Sequence, residues 1–254
     1  MFRLIRFTFR AFITLKLMAL AFSAGMGAAY ILQLRAQYRT WGLLPDDAQA
    51  FPGDDLVESA DVVETRYADI DAAPAEVWPW LAQLGHGRGG WYSYAALDRP
   101  WSPTGGPPGG SADTILDEFG DLAEGDLVPT HPGGGFVARV VEPGRTLVLF
   151  LDESMMREHL EGLVADSVED PDSAKMAPDM PPYAVSWAFV LEDAPGGRTR
   201  LIERMRFSVD VSEGQRKAMP VLAMGVFALM RDQMLGIKRR AEENAGAVLA
   251  DGAD

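Results

Sequence analysis

Two rhythms of hydrophobic and polar positions run along the chain, one of period two and one of three to four, and together they predict a mixed α+β domain. Val62 to Ile70 reads as a first strand. Beyond it Val77, Trp80, Leu81 and Leu84 recur at the spacing of one helix face, so a short helix opening at Pro74 should lie on a core through that side. Pro74 suits the first helical position and Glu76 favours the positive end of the dipole, whereas Ala73 is a poor N-cap. Pro79 removes a backbone bond, so the helix should be bent, and it must stop by Gly85, which opens a run of closely spaced glycines. A strand ladder follows at 126–130, 135–142 and 145–151, with a turn at Pro143-Gly144; Ile115 to Leu122 reads either way. Tyr183–Glu192 and Arg198–Val209, joined at Pro195-Gly-Gly197, form a hairpin. In its second strand Leu201, Met205 and Phe207 share a face with Glu203, while Arg198, Arg200, Arg204 and Arg206 share the other with Ile202. Last, Met219, Leu222, Ala223, Val226, Phe227, Met230, Met234 and Ile237 recur at helical spacing, giving a long terminal helix expected to lie across the sheet.

Outside this domain the pattern changes. Between Lys16 and Arg35 lie 18 uncharged residues, Leu17 to Leu34, enough to cross a bilayer at the lower limit of length. Residues 1–40 are therefore read as a basic segment and membrane-spanning helix; a signal peptide cleaved near Gly27-Ala-Ala29 is the alternative. Four basic residues precede the span and two follow it, which puts the N-terminus in the cytoplasm and the domain outside. Residues 41–60 are polar and acidic and read as a tether, 61–246 as the folded domain, and 247–254 as a disordered tail. Glu153 to Pro182 breaks the strand rhythm with eight acidic residues and four methionines, and reads either as a lid over a cavity or as a solvated excursion.

Charge narrows the partners. Of 23 basic residues six lie in the first 40, where there is no acid, leaving 17 against 37 acidic residues in the remainder, a net charge of −20. A domain so acidic is repelled by a phosphate backbone, so nucleic acid is excluded as a partner. With no cysteine, disulfides and thiolate metal sites are excluded as well. Gly85-His-Gly87-Arg-Gly-Gly90 matches the dinucleotide fingerprint formally, but a helix precedes the glycines where a strand is required. His86, His131 and His159 have no metal-ligand spacing, and no nucleophile elbow occurs. No metal or cofactor is expected.

Six blocks in order, Ala73-Pro-Ala-Glu-Val-Trp-Pro-Trp-Leu81, Leu84-Gly-His-Gly-Arg-Gly-Gly-Trp-Tyr-Ser-Tyr94, Leu122-Ala-Glu-Gly-Asp126, Val141-Glu-Pro-Gly-Arg145, Ser186-Trp-Ala-Phe189 and Arg198-Thr-Arg-Leu201, resemble the membrane-anchored branch of the SRPBCC (START-like, polyketide cyclase/dehydrase-related) superfamily. The resemblance implies a helix-grip (START/Bet v 1-like) fold, a curved antiparallel sheet around the long C-terminal helix, with a ligand space between them. Trp91, Tyr92 and Tyr94 are candidates for its rim, or equally for core; Trp187 lies on a strand and reads first as core. Arg88 and His86 could hold the polar end of a ligand, and Arg204 could reach it if the basic face points inward. His86 with Asp98 is the least poor acid/base pair. The expected function is a membrane-tethered binding protein for a hydrophobic or amphipathic, lipid-like small molecule. A cyclase or dehydratase on a polyketide-like substrate, or an interaction module with a vestigial pocket, are the alternatives; the sequence does not fix the oligomeric state.

Overall fold

A computed structural model describes residues 32–45, 49–93, 110–131, 134–158 and 181–251. The chain divides into two compact units at 41/42. In the first, residues 32–38 are helical; the rest of the expected span over Leu17–Leu34 lies outside the described residues.

The second unit holds six strands, β1 (Val62–Ile70), β2 (Leu127–His131), β3 (Gly134–Glu142), β4 (Thr146–Asp152), β5 (Tyr183–Ala194) and β6 (Arg198–Val209). They form one antiparallel sheet in the order β1-β6-β5-β4-β3-β2. Its two longer helices are α1 (Pro74–Ala82) and α2 (Met219–Asp251), and the layout is helix-grip-like. All five strand runs expected after β1 are present, within two residues of their expected ends. The ambiguous stretch is instead a single tight turn at Asp117–Phe119, since its apolar residues are too few to fill a strand. Of the acidic excursion, 153–158 is a short helix and 159–180 lies outside the described residues.

α1 begins at Pro74 and contains Pro79, as expected. Ala73 has no side-chain acceptor, but the Glu76 carboxylate reaches back to accept the Ala73 N–H at 2.7 Å, which satisfies one of the end donors. α2 buries Ala223, Phe227, Met230, Met234, Ile237 and Ala241 at three- and four-residue spacing. That stripe packs mainly over β1 and α1. Among the described residues Met219–Gly246 is the one stretch long and apolar enough to cross a bilayer, by length and composition alone; its apolar stripe is occupied by the sheet.

Cross-strand register separates the two faces. Glu64, Arg66 and Ala68 on β1 stand beside Met205, Glu203 and Leu201 on β6, and these beside Trp187, Phe189 and Leu191 on β5. This is the inner face, toward α2, where the Arg66 guanidinium lies 4.9 Å from the Phe227 ring centroid. The other face carries Thr65, Arg204, Arg206 and Ser186. It is covered by residues 51–58, part of the stretch 41–60 expected as a tether, which lie along it as a strap. Phe51 and Val57 are buried, and the Gly53 carbonyl accepts from Ser186 Oγ at 2.8 Å. Arg204 grips Asp54 through two parallel bonds of 2.7 and 3.1 Å and donates to Thr65 Oγ1. Arg206 donates to the carbonyls of Val57 and Glu58.

The tightest approach between elements is at Gly236 on α2, where an added Cβ would sit 2.2 Å from the Tyr92 carbonyl oxygen. That atom is backbone and cannot swing aside. Gly236→Ala is therefore expected to destabilise the protein by about 1–3 kcal/mol despite the better helix propensity of alanine. Gly225→Ala, with nothing within 4 Å, is expected to stabilise it by up to about 1 kcal/mol. Urea midpoints of the two variants check this, and equal shifts would contradict the close approach.

Candidate functional site

The glycine segment after α1 is what brings an aromatic group against the inner face. Gly85 and Gly90 exchange two backbone bonds of 3.1 Å and both hold positive φ, 120° and 83°, so the chain doubles back in a loop that other residues resist. The His86 N–H donates to the Pro129 carbonyl at 2.7 Å, which ties the loop to edge strand β2. His86 itself is half-buried, and its expected partner Asp98 lies outside the described residues, as does Tyr94.

Arg88 turns back on its own helix. Its Nη2 donates to the Ala82 carbonyl at 2.8 Å, satisfying an end acceptor of α1, and its guanidinium lies 4.5 Å from the Phe119 ring centroid. Burial lowers its pKa, an effect Asp126 opposes. Tyr92 goes into the core: it is 3% exposed, edge-on to Trp80 at 5.9 Å, and takes a bond from Gln83 Nε2 at 2.7 Å. Burial pushes its hydroxyl well up from the usual value, with the Gln83 bond and the Arg240 charge acting the other way. Its φ of 56° costs about 1–2 kcal/mol for a non-glycine, and the contacts on all sides hold it there. Gln83 also accepts the Leu116 N–H through Oε1, so one buried amide joins α1, the loop and the following segment.

Trp91, by contrast, is half-buried and stacks on Trp187 at 5.3 Å with the rings 5° apart. Phe136 meets both indoles edge-on, and Phe189 lies 5.3 Å from Trp187. Trp91 and Trp187 are thus brought together at one place on the inner face. Arg204 is not: it sits on the outer face under the strap. Arg88 and Tyr92 serve as a helix cap and a core pin.

Three ionisable residues that the sequence reading did not select stand in this inner space. Arg66 pairs with Glu64 at 2.9 Å, their side chains 6% and 4% exposed. Glu203 is wholly buried; Trp187 Nε1 donates to its Oε1 at 2.8 Å, and its Oε2 has no partner. From α2, Gln233 donates through Nε2 to the Trp91 carbonyl at 3.0 Å, and its Oε1 is likewise buried without a partner. Burial raises the Glu203 carboxyl well above its usual value, since the charged form loses its water; the Trp187 bond works in the opposite direction. Alternation along β1 and β6 was the signal that could have found all three acids and bases, because Glu64, Arg66 and Glu203 share the parity of Val62, Leu201 and Met205.

The inner face is graded along its strands. Leu201, Glu203, Phe189 and Leu191 are buried, whereas Met205, Phe207, Val185 and Tyr183 are half-buried. At that less covered end an open cleft of about 530 Å³ is flanked by Asp61, Asp152, Glu153 and Asp210. Asp61 is engaged with the Val209 N–H and Arg216, and Asp152 with Ser154 and the Met155 N–H. Among the described residues no group of three or more histidine, cysteine or acidic side chains is placed to hold a metal ion.

Fold and site together define an α+β protein with a six-stranded antiparallel sheet, a long C-terminal helix over one face, and an aromatic and carboxyl cluster beneath it. No protein-family model matches the chain, and no curated protein matches it. Among solved structures it is similar to protein Ms6760 from Mycobacterium smegmatis, at 17% identity over 70% of this chain and 90% of that one, with a TM-score of 0.34. Hypothetical protein jhp0584 from Helicobacter pylori matches at 11% identity over 76% and 98%, with a TM-score of 0.36. Protein MLL2253 from Mesorhizobium loti matches at 18% over 70% and 98%, with a TM-score of 0.32.

A carboxyl group with a raised pKa ties stability to pH in a definite direction. Its contribution is complete below the unfolded value, about 4.3 for glutamate, and is lost as pH rises toward the folded value, because only the unfolded chain can ionise it freely. Glu203→Gln keeps an acceptor for Trp187 and removes the titration. Between about pH 4 and pH 8 the unfolding midpoint of the variant is expected to gain on the wild type steadily as pH rises; parallel curves would contradict a buried neutral carboxyl.

Proposed function

We propose that this chain is a START-like (SRPBCC) helix-grip protein that holds a hydrophobic or amphipathic small molecule between the inner sheet face and α2, and that its first 40 residues tether it to a membrane with the domain outside. The observation that carries the binding reading is the cluster around Trp187, where a half-buried indole, Trp91, stacks on the indole that holds a buried carboxyl, and two buried oxygens lack partners. A closed protein core satisfies its polar atoms, because each one left alone costs about 1–3 kcal/mol. Aromatic walls with a few convergent polar atoms are the usual make-up of a small-molecule site. Binding would come from burial of apolar ligand surface, worth about 25 cal/mol per Å² before the entropy of association. The exposed apolar residues Val221, Leu222 and Leu229 on the uncharged stretch 219–230 of α2 fit a protein that works against a bilayer.

A second reading rests on the same carboxyl. A buried acid that retains its proton is what a cyclase or dehydratase needs as a general acid, and Glu203 is placed for that role if a polyketide-like substrate enters. Turnover of such a substrate, abolished in Glu203→Gln, would favour it.

The binding reading is tested on the full-length chain, purified in detergent, extracted with organic solvent and analysed by mass spectrometry. A co-purified apolar molecule is expected, and its amount should fall in Met205→Trp, which narrows the inner space. A wild type that yields nothing and whose tryptophan fluorescence ignores added amphiphiles would overturn the proposal.

A further inference from the structure

Resting on that binding reading, we infer that the ligand is uncharged at its polar end, bearing a hydroxyl or carbonyl, and that Glu203 Oε2 and Gln233 Oε1 are the atoms that receive it. The two atoms belong to the sheet and to the helix that covers it. Glu203 comes from β6, fixed through Trp187; Gln233 comes from α2, fixed through the Trp91 carbonyl. The indole of Trp187, which holds Glu203, and that of Trp91, whose backbone carbonyl holds Gln233, are stacked on each other. Glu203 and Gln233 are 0% and 2% exposed, so water does not reach the unpartnered oxygens freely. A carboxyl with its proton on Oε2 donates to a ligand oxygen, and the amide Oε1 accepts from a ligand hydroxyl. A ligand hydroxyl can do both, a ligand carbonyl the first.

An anionic end finds no such welcome. Among the described residues, cations on this side of the sheet are engaged: Arg66 with Glu64, Arg88 with the Ala82 carbonyl, Arg240 with the Ala112 carbonyl and Asp113, and Arg231 on α2 is not free either. Arg204 and Arg206 belong to the outer face and its strap. A carboxylate or phosphate would shed its water to meet the carboxyls of Glu203 and Glu64. A cationic end would stand near the Arg66 guanidinium, directly across the strands from Glu203, and would need Glu203 to give up its proton away from water. A neutral end avoids both penalties.

The test uses the full-length chain with three probes of equal chain length, 1-octanol, octanoate and octylamine, titrated near neutral pH with tryptophan fluorescence and thermal shift as readouts. Octanol is expected to bind roughly tenfold or more tightly than either charged probe, the discrimination a hydrogen-bonding site exerts over a mismatched group. Glu203→Leu should erase that preference and Glu203→Gln, whose amide still donates, should retain it; Gln233→Leu gives a second variant should the first fail to fold. Octanoate or octylamine binding as tightly as octanol would overturn the inference and leave the binding reading standing. No response to any of the three would overturn both.

Discussion

The hydrogen bond from Trp187 to Glu203 is the constraint on which the arrangement turns. A glutamate in the middle of β6, on the same face as Leu201 and Met205, must go wherever the sheet sends that face, and α2 covers it. Removed from water, the carboxyl is pushed toward its protonated form, and one of its two oxygens is held by the neighbouring strand. The register of β5 against β6 sets that bond: Trp187 stands opposite Met205, so its indole reaches diagonally to Glu203. The glycine loop then matters because it delivers Trp91 onto the face of the same indole, and α2 because Gln233 fixes the Trp91 backbone.

The two faces of the sheet handle charge in opposite ways. On the outer face an acidic strap meets a basic stripe, and the fork between Asp54 and Arg204 holds 51–58 down while the Arg204 guanidinium lies 5.1 Å from the Phe51 ring centroid. On the inner face Glu64 and Arg66 neutralise one another on one strand, and Glu203, beside Arg66 on the next, makes no ion pair of its own among the described residues. The outer face therefore reads as structural. The inner one retains polar atoms whose partners the protein does not supply.

Much of the fold was legible because it is local. Period-two alternation marked every strand, Pro74 and the glycines after Leu84 marked both ends of α1, and the stripe from Met219 to Ile237 marked α2. The site was legible in part. Placing Glu203 with Leu201, Met205 and Phe207 put it on the apolar face, and the same parity on β1 would have added Glu64 and Arg66. Other features depend on contacts distant in sequence. Arg88 caps the helix it follows, and Tyr92 is buried at positive φ because Gly89 and Gly236 leave room for it. The acidic stretch read as a tether docks on arginines 150 residues away, a complementarity visible only once the stripe is known to face outward.

The account stands on a neutral carboxyl in the space between sheet and helix. Infrared difference spectra of the wild type and Glu203→Gln at neutral pH observe that group directly. A protonated carboxyl stretch present in the wild type and missing from the variant is the expected result; a spectrum showing only ionised carboxylate at this position would contradict it.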